Sequence, residues 1–124
     1  MSQPLLMSVV ELGGYPDFTA LYQRLGYRVE TITSGRKAIT TLKKAHPAVV
    51  VAEFNFQLEF RDRTSNLETI LAVAQHIEGV KVIVFYNQEE EARLEPIRQR
   101  FPGFVAMSYP IGEEELEAEL SSGP

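Results

Sequence analysis

The sequence predicts a three-layer α/β domain in which helices cover both faces of a doubly wound parallel sheet. Three observations predict it. Short apolar runs alternate with helix-period segments along all 124 residues. The connections between them are short, with no internal repeat and no low-complexity linker. The run Ala48-Val49-Val50-Val51-Ala52 is the most apolar and β-branched in the chain, as a strand buried on both faces must be.

Leu5 to Val10 is the first near-continuous apolar run and reads as a buried strand. Pro16-Asp17 opens a helix with Asp17 as N-cap, carrying Phe18, Leu21, Tyr22 and Leu25 on one face and closed by Gly26. From Tyr27 to Ile32, Arg28 and Glu30 alternate with less polar residues, so this strand has a wet face and belongs at a sheet edge. Ser34 caps a second helix with Ala38, Ile39, Leu42 and Ala45 inward; Lys43, Lys44 and His46 suit its C-terminal dipole, and Pro47 stops it. Ala48–Ala52 is the central strand. Ser65-Asn66-Leu67-Glu68 reads as a capping box opening a third helix with Leu67, Ile70, Leu71, Ala74 and Ile77 at core spacing, closed by Gly79. Val80–Tyr86 is another buried strand. Glu89–Phe101 is helical in composition, but Pro96 predicts a kink or a break there. Phe104–Met107 is the fifth strand and Gly112–Leu120 the fifth helix. Residues 1–120 thus form one domain and residues 121–124 a tail.

Right-handed crossovers and an edge position for the second strand select the order 2-1-3-4-5, which is a flavodoxin-like (βα)5 arrangement. Such sheets hold ligands in the crevice beyond the carboxyl ends of strands 1 and 3. The residues past those ends are Glu11-Leu12-Gly13-Gly14 and Glu53-Phe54-Asn55, with Tyr86-Asn87 after the fourth strand and Ser108-Tyr109-Pro110 after the fifth. Two carboxylates, an amide and two phenols are therefore expected to converge on one rim.

In order and spacing these residues resemble the receiver domains of response regulators over nearly the whole chain. Val9-Val10-Glu11-Leu12 resembles the acidic pair after strand 1, with the first acid kept and Leu12 on the second. Val51-Ala52-Glu53-Phe54-Asn55 resembles the phospho-acceptor segment, with Glu53 on the aspartate position and Asn55 on the matching Asn. Tyr86 stands where the family has a switching Thr or Ser. In Ser108-Tyr109-Pro110-Ile111, Pro110 is kept and Tyr109 replaces the family's lysine. The resemblance implies a cis bond at Tyr109-Pro110, and X-Pro is the one linkage that accepts cis cheaply.

The departures have chemical consequences. The family's acceptor works with Mg²⁺ held by acidic oxygens, a lysine that steadies phosphoryl charge and a hydroxyl that follows it. Glu53 is one methylene longer than aspartate, Leu12 cannot ligate a cation, and Tyr86 and Tyr109 reproduce neither a small hydroxyl nor an ammonium. The expectation is a non-phosphorylatable pseudo-receiver: a non-enzymatic regulatory module of signal transduction, acting through a signalling protein or its own output domain and able to pair with itself. No cofactor or metal is expected. The alternative is a small-ligand or cation site in the crevice. Acid–base catalysis by the two carboxylates lacks a nucleophile and an oxyanion site in plausible reach.

Two other segments carry weaker signals. The connection from Phe56 to Thr64 is several residues longer than the family's usual one and mixes Phe56, Phe60, Arg61 and Arg63, a candidate partner loop. Gly13-Gly14 matches neither the dinucleotide nor the P-loop spacing and reads as a tight turn. The composition, 44% hydrophobic and 23% charged, is that of a soluble domain. The net charge of −5, with Glu113, Glu114, Glu115, Glu117 and Glu119 in the last helix, argues against nucleic acid. There are no cysteines. No apolar run approaches the ~18 residues of a membrane span, and no basic, apolar leader opens the sequence; a cytoplasmic location is expected.

Overall fold

The computed structural model describes residues 3–10, 17–54 and 66–121. Five parallel strands form one sheet in the order β2-β1-β3-β4-β5. They are β1 (Leu5–Val9), β2 (Arg28–Ile32), β3 (Val49–Glu53), β4 (Lys81–Tyr86) and β5 (Val105–Ser108). The helices are α1 (Thr19–Arg24), α2 (Gly35–Ala45), α3 (Asn66–Ala74), α4 (Glu91–Arg100, preceded by a 3₁₀ turn at Gln88–Glu90) and α5 (Glu113–Ser121). The fold class and strand order read from the sequence are those observed.

Alternation along the strands divides the core in two. Val50, Ala52, Val82 and Val84 face α2, α3 and α4, where they meet Leu42, Ile70 and Leu94. Val49, Val51, Ile83 and Phe85 face the other way, against Leu21 and Tyr22 of α1 and Leu116 and Leu120 of α5. Each fully buried Leu or Val contributes roughly 1.5–3 kcal/mol by leaving water. The alternating, exposed β2 lies at the edge, paired with β1 from Leu5↔Arg28 to Val9↔Ile32.

Several local expectations need correction. Asp17 is not the N-cap of α1; Phe18 holds that position, and the helix is a short one of six residues. Asp17 instead folds its Oδ1 onto Thr19, accepting from the backbone N–H at 2.9 Å and from the hydroxyl at 2.6 Å. Ala45 is exposed in the last turn of α2 rather than inward. Pro96 does not break α4, which runs through it, because Leu94 and Ile97 on either side are both buried in the core. A proline there removes one ladder bond, and tertiary packing outweighs that loss. α3 ends at Ala74, so Ile77 packs against the core from the turn that follows. Ser34 does cap α2, accepting from Lys37 N–H at 3.4 Å. The Ser65 half of the proposed capping box lies outside the described residues.

His46 closes α2 in the left-handed region, with φ 49° and ψ 63°. A side chain there costs about 1–2 kcal/mol, and glycine is the usual occupant of such a cap. Against that stands the extra backbone entropy of glycine when unfolded. His46→Gly is expected to raise unfolding stability by about 0.5 kcal/mol, read as an increased urea midpoint; a fall in midpoint would contradict the strain.

α5 is tied down at both ends. Arg24 of α1 reaches Glu113 at 3.2 Å and Glu117 at 3.3 Å, placing a cation between two glutamates one helical turn apart. All three side chains are well exposed, so the stabilisation is small. At the C-terminal end, Tyr27 donates its hydroxyl to the Leu120 carbonyl at 3.2 Å. Lys81 Nζ donates to the Glu119 carbonyl and pairs with the Glu119 carboxylate at 3.1 Å. These two donors satisfy carbonyls that a helix end leaves without intrahelical partners.

Candidate functional site

The ends of β1, β3 and β4 meet above the sheet in a staggered ladder. Val9 is level with Ala52, and Glu53 with Phe85. Backbone pairing continues one residue past the strands: Val10 N–H donates to Ile32, Phe54 N–H to Phe85 and Tyr109 N–H to Tyr86. Over this rim, on the α1 side, lies a cavity of about 250 Å³. Ser8, Val10 and Val51 line it from the strands and Phe18, Tyr22 and Phe85 beside them, with Thr19, Thr31 and Thr33 also in its lining. Phe18 meets Phe85 edge to face, with ring centroids 6.0 Å apart.

Two charged side chains, Asp17 and Glu53, are among the described residues that line the cavity; no lysine or arginine is. Glu53 is half-buried. The two donors of Thr19 hold the Asp17 carboxyl below its ordinary range, so it is ionised at neutral pH. Burial pushes the Tyr22 phenol well above its ordinary value, and the negative charge of Asp17 adds to that rise. Asp17 is thus electrostatically in touch with the cavity wall.

Of the residues the sequence assigned to the rim, Glu53 alone among the described ones lines this cavity. Tyr86 corrects the expectation that two phenols converge there. Its ring is 5% exposed and packs in the core on the α4 side. Its hydroxyl donates to Glu91 Oε1 at 3.3 Å and accepts from Arg98 at 3.4 Å, while the Arg98 guanidinium lies 5.6 Å from the ring centroid. Strand parity is the cause: Glu53 shares its face with Phe85, which puts Tyr86 on the other. Tyr109 is 43% exposed beyond β5, and the bond to Pro110 is cis. Glu11, Leu12 and Asn55, and the loop residues Phe56, Phe60, Arg61 and Arg63, lie outside the described residues. The sequence reading passed over Thr31, Thr33 and Phe85 and treated Asp17 only as a cap. The rule that ligands collect beyond strand ends applies equally to β2, whose end supplies both threonines.

No family model matches the chain, and no curated protein matches it. Solved structures do. A response regulator receiver protein from Sinorhizobium medicae superposes with a TM-score of 0.75 at 20% identity, over 97% of this chain and 93% of that one. The chemotaxis protein CheY4 of Vibrio cholerae gives a TM-score of 0.74 at 17% identity, over 99% of this chain and 100% of that one. A receiver domain of DrrB activated with BeF3 gives 0.68 at 18% identity, over 98% and 97%. The chain has the receiver fold.

Within the receiver fold, Glu53 occupies the end of β3, and the site chemistry can be tested against its donors. Mg²⁺ prefers near-octahedral oxygen coordination with more than one carboxylate or a phosphate. The described crevice offers Glu53 and Asp17, and Asp17 Oδ1 is already engaged by both donors of Thr19. Among the described residues no three His, Asp or Glu side chains gather as a metal group. No helix among the described residues is long and apolar enough to cross a membrane.

Proposed function

We propose that this protein is a regulatory module of signal transduction that acts by contact with other proteins and runs no aspartyl-phosphate cycle. The observation that carries the proposal is the makeup of the crevice. Its strand-3 carboxylate is glutamate, and the hydroxyl at the end of β4 belongs to a ring turned toward Arg98 and Glu91. Tyr109, on the position where receivers have lysine, brings no positive charge. Phosphoryl transfer depends on positioning and on cations that neutralise developing charge, and the described residues provide neither. A receiver scaffold with that chemistry removed retains its surfaces, so its action lies in binding a signalling protein, an output domain or a second copy. No enzymatic turnover is assigned.

The test is incubation with Mg²⁺ and acetyl phosphate, followed by intact-mass measurement, and in parallel a titration with beryllofluoride followed by amide NMR. Neither a phosphoryl adduct nor shifts centred on Glu53 are expected. Stoichiometric, saturable modification at Glu53, or a large beryllofluoride response around it, would overturn the proposal.

A further inference from the structure

We propose that the outward face of α2 is a docking surface for an acidic helix of a partner protein. The distribution of charge along the chain points there first. Residues 31–52 contain no aspartate or glutamate, in a chain that carries 17 acids against 12 Lys and Arg. Arg36, Lys37, Lys43 and Lys44 fall inside that stretch, all on α2 and all exposed. Arg36 and Lys37 occupy the first turn, where the helix dipole disfavours cations, so helix stability does not explain them.

The four cations are also unclaimed. Arg24, Lys81, Arg98 and Arg100 each hold a carboxylate, whereas no ion pair among the described residues reaches the four on α2. β1, β2 and α3 pack against α2, and none of them neutralises it. β1 has no carboxylate, β2 carries Glu30 together with Arg28, and Glu68 of α3 is held by Arg100. A patch of one sign favours an oppositely charged partner and steers its approach.

Spacing identifies the occupant. Ala38 and Leu42 turn inward to the core, which places Thr40 at the centre of the exposed face. The Thr40 hydroxyl donates back to the Arg36 carbonyl at 3.2 Å, so the centre of the face is a neutral seam. Arg36 and Lys43 flank this seam on one side, Lys37 and Lys44 on the other. Seven residues fall within ~20° of two full turns, so each pair forms a column about 10.5 Å long. A helix laid along the seam, with glutamates recurring every seventh residue, sets a carboxylate against each cation. The face has no aromatic ring on which a nucleic-acid base could stack and no large apolar side chain to enter a bilayer. Tyr109, the exposed large hydrophobic among the described residues, lies past β5 at the opposite edge of the sheet from β2. Without an apolar anchor the contact is weak and salt-dependent. It names the surface for the contact role proposed above and rests on that reading.

The probe is an alanine-based peptide of about 21 residues, long enough to be helical in water, with glutamate at the first two positions of every heptad. It is titrated into the full chain and followed by amide NMR. The controls are the same peptide with its glutamates scattered around the helix, a single-stranded oligothymidylate and phosphatidylserine vesicles. The heptad peptide is expected to shift the amides of Arg36–Ala45 and to bind at least about fivefold more tightly than the scattered one. Raising salt from about 0.1 to about 1 M, which shortens the screening length from ~10 to ~3 Å, should abolish the shifts. Lys37→Glu with Lys44→Glu should weaken binding by about tenfold, within the range of two exposed ion pairs. A lysine version of the peptide should then bind that variant better than it binds the native chain. Lys37→Gln with Lys44→Gln makes the same comparison at less cost to the helix end. Shifts centred away from α2, equal binding of the heptad and scattered peptides, or tighter binding of the oligonucleotide or the vesicles would each overturn the proposal. A phosphoryl adduct in the acetyl phosphate experiment sinks the earlier reading and moves none of these shifts, so the two failures are distinguishable.

Discussion

Replacing Tyr86 with threonine, the residue type that receivers carry at the end of strand 4, is expected to lower unfolding stability by about 3–5 kcal/mol, the cost of removing a buried aromatic ring. The ring is nearly inaccessible and packs among Val84, Leu94 and Ile97. A threonine there leaves a cavity the size of most of a phenol and sets its hydroxyl against apolar neighbours. A domain of this size holds only ~5–15 kcal/mol in total, so the variant should show a large drop in urea midpoint. Tyr86→Phe keeps the ring and loses only two long hydrogen bonds, to Glu91 and from Arg98; it should cost about 1 kcal/mol. If Tyr86→Thr proved as stable as Tyr86→Phe, the ring would not be a core residue, and its place beside the crevice would have to be reconsidered.

The second large effect is expected at Leu116. α5 has nine residues and buries two of them, Leu116 and Leu120; its remaining surface is mostly glutamate. Helices this short are marginal without packing, so the apolar side chains carry it. Leu116→Ala should cost about 2–5 kcal/mol and should strip amide-exchange protection from α5 before the sheet loses any. Lys81→Met, which keeps the aliphatic stem but removes the donor to the Glu119 carbonyl, should give a smaller loss confined to the last turn. Uniform loss of protection across all helices on Leu116→Ala would contradict the idea that α5 docks as a separable element.

Both cases turn on what a sequence can convey. Strand order was legible because Val49–Ala52 is apolar on both faces while Arg28 and Glu30 mark β2 as an edge. The Ser34 cap depends on local chemistry and was legible too, whereas the cis bond before Pro110 was implied by the resemblance to receivers. The direction of Tyr86 was not legible. In a parallel pair the relative facing of residues depends on register, and Glu53↔Phe85 is a property of the paired strands rather than of either one. Both strands are apolar on both faces, so counting alternate residues within each does not say which series share a layer. Pro96 misled for the converse reason: a local rule about one hydrogen bond met a helix whose place is decided by Leu94 and Ile97. The cavity could not be foreseen from motifs, since its lining comes from α1 and from three strand ends, none of which carries a recognisable pattern alone.

The position of β2 bears on how the molecule behaves in concentrated solution. An outermost strand leaves one row of backbone donors and acceptors open, and such a row can pair with the same strand of a second copy. The strand is five residues long, and Arg28 and Glu30 are exposed on it. Two copies paired in parallel and in register through this strand would set arginine against arginine and glutamate against glutamate. Like charges directly opposite one another are repulsive, so the alternation that places β2 at the rim of the sheet also discourages that edge-to-edge pairing.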